Sequence, residues 1–175
     1  MNAVKPLKFY TLAEFEAMPR EEGWNYELID GLVLMSPRPS IEHQNIAGNI
    51  YFELRNALKD LPCKPIQEVD LVLENNNLIP DLMVICNDKL EGKRYEKPPL
   101  IVIEIVSPTS ASRDHITKRR KYEQLGIREY WIVSPDEKCV TVFNYALSTE
   151  EMYCEGQVMS AVLPEVKIDL HHILA

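Results

Sequence analysis

The run Leu100-Ile101-Val102-Ile103-Glu104-Ile105-Val106 is apolar and mostly β-branched, except for one carboxylate. A short stretch of this kind reads as a strand covered on both faces. It therefore requires a sheet with packing on each side. An ionised carboxylate in such a strand costs several kcal/mol unless it is paired, hydrogen-bonded or bound to a metal. Upstream, Ile79-Pro80-Asp81-Leu82-Met83-Val84-Ile85-Cys86 is a second buried-looking strand, opened by an acid. Each acid has a plainer reading. Arg113 or Arg128 could neutralise Glu104, and Asp81 could simply bond nearby backbone N–H groups at a Pro-Asp junction. Together, two acids on adjacent core strands suggest a site for a hard cation.

Around these strands the punctuation is clear. Thr11 can cap a short helix through Met18, ended by Pro19. Residues 26–31 and 32–36 form a hairpin about Asp30-Gly31, a dipeptide that tolerates positive φ at both turn positions. Ser40 can cap a long helix to about Leu61, with an apolar stripe at Ala47, Ile50, Leu54, Leu58 and Leu61. Strands are expected near 68–73, 81–86 and 100–106. Asn75-Asn76-Asn77 marks a turn, and 88–99 reads as a loop. A helix should run from about Ser112 to Leu125, with Gly126 in its C′ position and Ile127 packing back. Strands at 129–133 and 139–145 follow. The tail adds an edge strand or two and a last turn of helix. Strand–helix–strand from Ile101 to Val133 implies a right-handed crossover with parallel pairing. The expectation is a single α/β domain over 1–175, a mixed sheet with helices on both faces.

Bulk properties narrow the function classes. The chain is 46% hydrophobic and 26% charged, as ordinary soluble globular chains are. No apolar stretch approaches the roughly 18 residues of a membrane helix, so no membrane role is expected. Residues 1–6 lack an apolar signal core, so secretion is not expected. The four cysteines are scattered without a CxxC pair, and Cys86 and Cys139 read as small core residues. That fits a reducing cytoplasm and argues against zinc. The net charge of −8 argues against a general nucleic-acid coat but leaves room for a local basic groove. Arg113, Lys118, Arg119, Arg120 and Lys121 supply a cluster of cations, whose simplest reading is a solvated helix face.

Lys118 departs from that reading. Asp114, Lys118, Tyr122 and Leu125 are spaced four, four and three, so they share one helix face. Tyr122, Leu125 and nearby Ile116 mark that face as the one packing on the sheet. A lysine there either meets a carboxylate or an anion, or snorkels to water. His43, at the start of the long helix, and Glu27, in the hairpin, are further candidates. A capping histidine and an ordinary salt bridge are the alternatives for them.

An acid after proline, an acid on the next strand and a following lysine resemble the PD-(D/E)XK nuclease superfamily, with its restriction endonuclease-like core. Val106 stands where that superfamily usually has its lysine. The longer pattern resembles one branch, the Uma-two family of endonucleases. The matching stretches are YELIDG (26–31), the helix carrying His43, PDLMVIC (80–86), IEIVSPTS (103–110), then Asp114, Lys118 and Tyr122, and GIREYWIVSP (126–135). The resemblance implies that the catalytic lysine has moved to the helix, as Lys118. It implies Asp81, Glu104 and the Ile105 carbonyl as ligands to Mg²⁺, with Mn²⁺ as a substitute. It adds Glu27 and His43 to the catalytic set. The function so implied is metal-dependent hydrolysis of DNA phosphodiesters, with Arg119, Arg120 and Lys121 on flanking phosphates. A homodimer is the expected assembly, because duplex-cutting enzymes often pair their sites. Two other readings remain: a non-catalytic interaction module that kept the fold, and a hydrolase of other phosphate esters.

Overall fold

The computed structural model describes residues 7–106 and 113–174, with the side chains of 113–115 left out. The helix start at Ser112, the 107–110 part of the matched stretch, and the Arg113 and Asp114 side chains therefore lie outside the described residues.

The chain opens with α1 (Leu12–Ala17), the hairpin β1 (Trp24–Ile29) and β2 (Leu32–Pro37), and α2 (Ile41–Ala57). Five strands follow: β3 (Cys63–Gln67), β4 (Asp70–Leu73), β5 (Asn76–Leu78), β6 (Leu82–Cys86) and the two-residue β7 (Arg94–Tyr95). Then come β8 (Ile101–Ile105), α3 (Arg113–Gln124), β9 (Glu129–Ser134) and β10 (Cys139–Asn144). The tail holds β11 (Thr149–Tyr153), β12 (Gln157–Met159), β13 (Lys167–Asp169) and α4 (Leu170–Ile173).

Local chemistry sets the boundaries. Thr11 and Glu14 form a capping box on α1. Asp30 and Gly31 turn the hairpin with φ of 50° and 79°. The Ser40 side chain accepts from the His43 N–H and caps α2. Pro62 disfavours a helical Leu61. Accordingly α2 stops at Ala57, short of the expected Leu61, and a tighter turn carries Leu61 back onto the core. At the end of α3, the Gly126 N–H bonds Glu123 O and the Ile127 N–H bonds Tyr122 O, with Gly126 at φ +81°. That pair of bonds is a Schellman motif, and Ile127 packs in the same cluster as Tyr122.

The expected single sheet is divided. A six-stranded sheet runs β11-β10-β9-β8-β6-β3, a five-stranded sheet runs β2-β1-β5-β4-β7, and β12 and β13 form a ribbon. β8 and β9 pair in parallel, with Ile101 opposite Glu129, on either side of the α3 crossover. β3 was hidden in the sequence by Lys64 and Pro65. It lies at a sheet edge, where a proline is tolerated. The turn near Asn75 is narrower than expected: Asn76 and Asn77 belong to β5 and pair with Leu73 and Val72. The stretch 88–99 contains β7, paired in parallel with β4.

Both faces of β8 are covered. Ile101, Ile103 and Ile105 pack with Ile46, Ala47, Ile50 and Leu54 of α2. Val102 packs on the opposite side with Tyr122 and Leu125 of α3. Among the described residues no helix is long and apolar enough to cross a membrane.

The cysteines are not free core residues. They form two disulfides, Cys63–Cys86 and Cys139–Cys154. Cys63 and Cys86 face each other across β3 and β6. Cys139 and Cys154 flank the Val140–Tyr153 pair. Antiparallel register makes neighbours of residues that look scattered along the chain, so the argument for a reducing compartment loses its basis.

Candidate active site

Glu104 points to the α3 side of β8, two residues beyond Val102. It is 6% exposed. Its Oε1 accepts from Lys118 Nζ at 3.1 Å and from the Tyr122 hydroxyl at 2.6 Å. Lys118 and Tyr122 are one turn apart on α3, so both reach the same carboxylate. Lys118 Nζ also pairs with Glu27 Oε2 at 2.8 Å. Glu27 is fixed from the other side, since its Oε1 accepts from the Ile79 N–H at 2.8 Å. Lys118 is 8% exposed, so its ammonium is buried between two carboxylates and does not snorkel.

Asp81 enters from the loop before β6. Its Oδ2 accepts the Ile105 N–H at 2.7 Å and lies 3.2 Å from His43 Nε2. The α2 N-terminus and the end of β8 thus meet at one carboxylate oxygen. The structure brings together Glu27, His43, Asp81, Glu104, Ile105 and Lys118. Arg113 lies outside the described side chains, and among the described residues Lys118, not Arg128, meets Glu104.

The electrostatics of the cluster follow from its excess of negative charge, three carboxylates about one ammonium. Burial raises the Glu104 carboxyl, the charges of Asp81 and Glu27 add to the rise, Lys118 and the Tyr122 hydroxyl oppose it, and the balance lies at about 7. Burial works against the Lys118 ammonium too, but Glu104 and Glu27 outweigh it and hold the amine protonated well above the usual lysine range. The two directions agree. One ammonium shared by two carboxylates beside a third acid leaves negative charge uncompensated, and the cost falls on the most buried acid. Burial also lowers His43, yet its hydrogen bond to Asp81 and that charge raise it on balance, with the Ile105 backbone and Glu104 adding to the rise.

Whether these residues suit a divalent cation can be judged from the donors. Among the described residues, no three His, Cys, Asp or Glu side chains form a ready-made cage. Mg²⁺ keeps several waters and takes only one or two carboxylates. Asp81 and Glu104, with their uncompensated charge, fit that requirement. The Ile105 backbone lies beside His43 and Asp81.

Other expectations change. Ile116 is 74% exposed and does not mark the packing face. It lies two residues from Lys118, about 200° around the helix. Lys121 is not on a solvated basic face: it is buried and paired with Asp30 of the hairpin turn. At three residues past Lys118 it flanks the same seam. Arg119 stacks on Phe143 at 3.8 Å and pairs with Glu150 at 3.1 Å. Arg120 is exposed and has no ion pair among the described residues. Tyr122 was read as an apolar face marker and as part of the matched pattern, with no role given to its hydroxyl; its one-turn spacing from Lys118 was the available signal. A cavity of about 240 Å³ lies elsewhere, lined by Asn144, Tyr153, Ser160 and Lys167, and contains none of the acids.

The fold has a counterpart of known structure. The chain superimposes on the crystal structure of a "putative nuclease belonging to DUF820" from Anabaena variabilis ATCC 29413, with a TM-score of 0.79. The match is 21% identical and covers 94% of this chain and 97% of that one, so the two share their fold from end to end. Among curated proteins nothing matches. A family model spans residues 12–171 and so takes in every position of the cluster, from Glu27 on the hairpin to Tyr122 on α3: the chain belongs to the Uma2 family, described as "Putative restriction endonuclease".

Proposed function

We propose that this protein is a Mg²⁺-dependent endonuclease that hydrolyses DNA phosphodiesters. The observation that carries the reading is the Lys118 ammonium, buried between Glu27 and Glu104 beside the Asp81–His43 pair. Structural ion pairs seldom leave a deeply buried acid with excess negative charge, whereas metal sites require it. Asp81 and Glu104 would hold the ion, with the Ile105 carbonyl as a third oxygen. The chemistry supplied by such an ion is neutralisation of charge on the phosphate and acidification of the attacking water. Lys118 keeps a compact positive charge at the edge of the same pocket, where it can orient that water or meet the charge developing on phosphorus. Glu27 holds the Lys118 amine in place. His43 fixes one Asp81 oxygen, so the carboxylate keeps its orientation. Arg120, exposed on α3, is available to a flanking phosphate. A homodimer would present two such sites to the two strands.

A non-catalytic module keeps one specific observation in its favour. Arg119 and Lys121 are already paired with protein carboxylates, so neither offers a free cation to a phosphate. Nicking of supercoiled plasmid in Mg²⁺ or Mn²⁺ separates the two. The parent should nick, and Lys118→Ala should be slower by at least about a hundredfold, the scale of one positioned electrostatic group. Lys118→Arg should not recover the rate, because a planar fork does not replace an ammonium. Parent protein that binds plasmid without cutting it in either metal would establish the module instead.

A further inference from the structure

Glu104 is held asymmetrically. Both of its donors, the Lys118 ammonium and the Tyr122 hydroxyl, converge on Oε1. Among the described residues none donates to Oε2. Tyr122 is fully buried, and its ring lies 5.0 Å from that of Tyr130 in a tilted arrangement. The α3 C-cap fixes it further, because its carbonyl accepts from the Ile127 N–H. The hydroxyl therefore cannot swing away without moving the helix end. The neighbouring Tyr130 hydroxyl is also buried, yet it has no hydrogen-bond partner among the described residues. Of the two neighbouring tyrosines only one is engaged with the acid.

We infer that Tyr122 is a positioning residue which, with Lys118, saturates Glu104 Oε1 and leaves Oε2 as the single oxygen offered to a divalent cation. This role rests on the metal reading above. A hydrogen-bonded ligand carboxylate has a fixed orientation, and removing such a partner typically weakens metal affinity about 10–100-fold. A monodentate carboxylate also suits an ion that keeps several of its waters. Lys118 alone does not fix Glu104 in this way, since its ammonium is shared with Glu27.

Isothermal titration with Mn²⁺ tests this without recourse to cleavage. The parent, Tyr122→Phe, Tyr122→Met and Tyr130→Phe are compared, with thermal melting of each metal-free form to establish folding. Tyr122→Phe keeps the ring and removes only the donor; Tyr122→Met fills the seam with no ring at all. Both should bind Mn²⁺ at least about tenfold more weakly than the parent. Tyr130→Phe should bind as the parent does, because its hydroxyl bonds to nothing described. Parent-like affinity in either folded Tyr122 variant overturns the role of Tyr122 and leaves the metal site standing. Equal weakening in Tyr130→Phe also overturns it, since the effect would then come from the packed ring pair. A parent that binds no Mn²⁺ overturns the metal reading itself, and this role with it.

Discussion

Two carboxylates are buried on neighbouring strands, and their partners give them opposite tasks. Glu129 is fully buried on the α2 side of β9, where it accepts from Trp131 Nε1 at 2.7 Å and from the Ala161 and Val162 N–H groups at 2.8 and 3.2 Å. Its donors are neutral and fixed, so it ties the tail to the sheet. Glu104 instead meets a shared cation beside two other acids. Glu129→Gln should then lose about 1–3 kcal/mol, because an amide N–H₂ would face N–H groups that need an acceptor. Mn²⁺ binding should survive in that variant. Glu104→Gln should lose Mn²⁺ binding. It should also change the pH dependence of melting in a defined direction. The Glu104 carboxyl goes from 4.5 to about 7 on folding, so between those values the folded state binds more protons than the unfolded one. Stability from this group therefore falls as pH rises from about 4.5 to 7. Glu104→Gln should flatten that fall in Tm; an unchanged slope would show that the excess charge lies elsewhere. Glu104 was legible in the sequence because nothing polar surrounds it. Glu129 was not, because an acid opening a strand looks solvated, and two of its three donors come from more than 30 positions away.

At the scale of elements, α3 is joined to the first hairpin by two ion pairs of matching stride. Lys118 and Lys121 are three apart on the helix, and their partners Glu27 and Asp30 are three apart on β1 and its turn. Asp30 is held again by its N–H to Asn76 Oδ1 at 2.9 Å, so the turn, β5 and α3 lock together. This fixes the rotation of α3 and hence the reach of Lys118. Asp30→Asn should destabilise by about 1 kcal/mol, a modest figure because Asp30 itself is exposed while Lys121 is not. Lys121→Met in the Asp30→Asn background should recover stability, since the buried seam would no longer hold an unpaired charge. Greater loss in the double variant would mean that the Lys121 stem, not its charge, supports the seam. Elements with local signals were readable: the Thr11 and Ser40 caps, the Asp30-Gly31 turn and the Gly126 stop. Those defined by distant pairing were not. β3, β5, the division into two sheets and both disulfides depend on which strands meet, and no single segment records that.

For the molecule as a whole, net charge and its distribution limit how the DNA of the proposed function could be held. The chain carries −8, and many of its cations are already engaged with its own acids: Arg94 with Glu16 and Glu96, Lys97 with Asp88, Arg119 with Glu150, Lys118 and Lys121 in the α3 seam. A duplex carries one negative charge per about 1.7 Å of axis, so an acidic surface repels it, and contact must be carried by few groups. If the chain is the nuclease proposed above, a divalent ion at Asp81 and Glu104 would offset the local negative charge where a phosphate would have to approach. Duplex binding should therefore be conditional on metal. In chelator at about 150 mM salt, a 20-base-pair duplex should bind more weakly than the roughly 10⁻⁴ M limit of ordinary non-specific binders. With Ca²⁺, which occupies hard-cation sites without supporting fast hydrolysis, affinity should rise at least tenfold. Asp81→Asn should abolish that rise, while its melting temperature in chelator should stay level or increase as acid repulsion is relieved. The salt dependence should be shallow, and Arg120→Ala should reduce its slope by about one contact. Fluorescence anisotropy across a salt series measures all of these. Tight binding in chelator with a steep slope would mean that a basic surface exists in the assembled protein, and that the acids of the cluster do not govern contact with DNA.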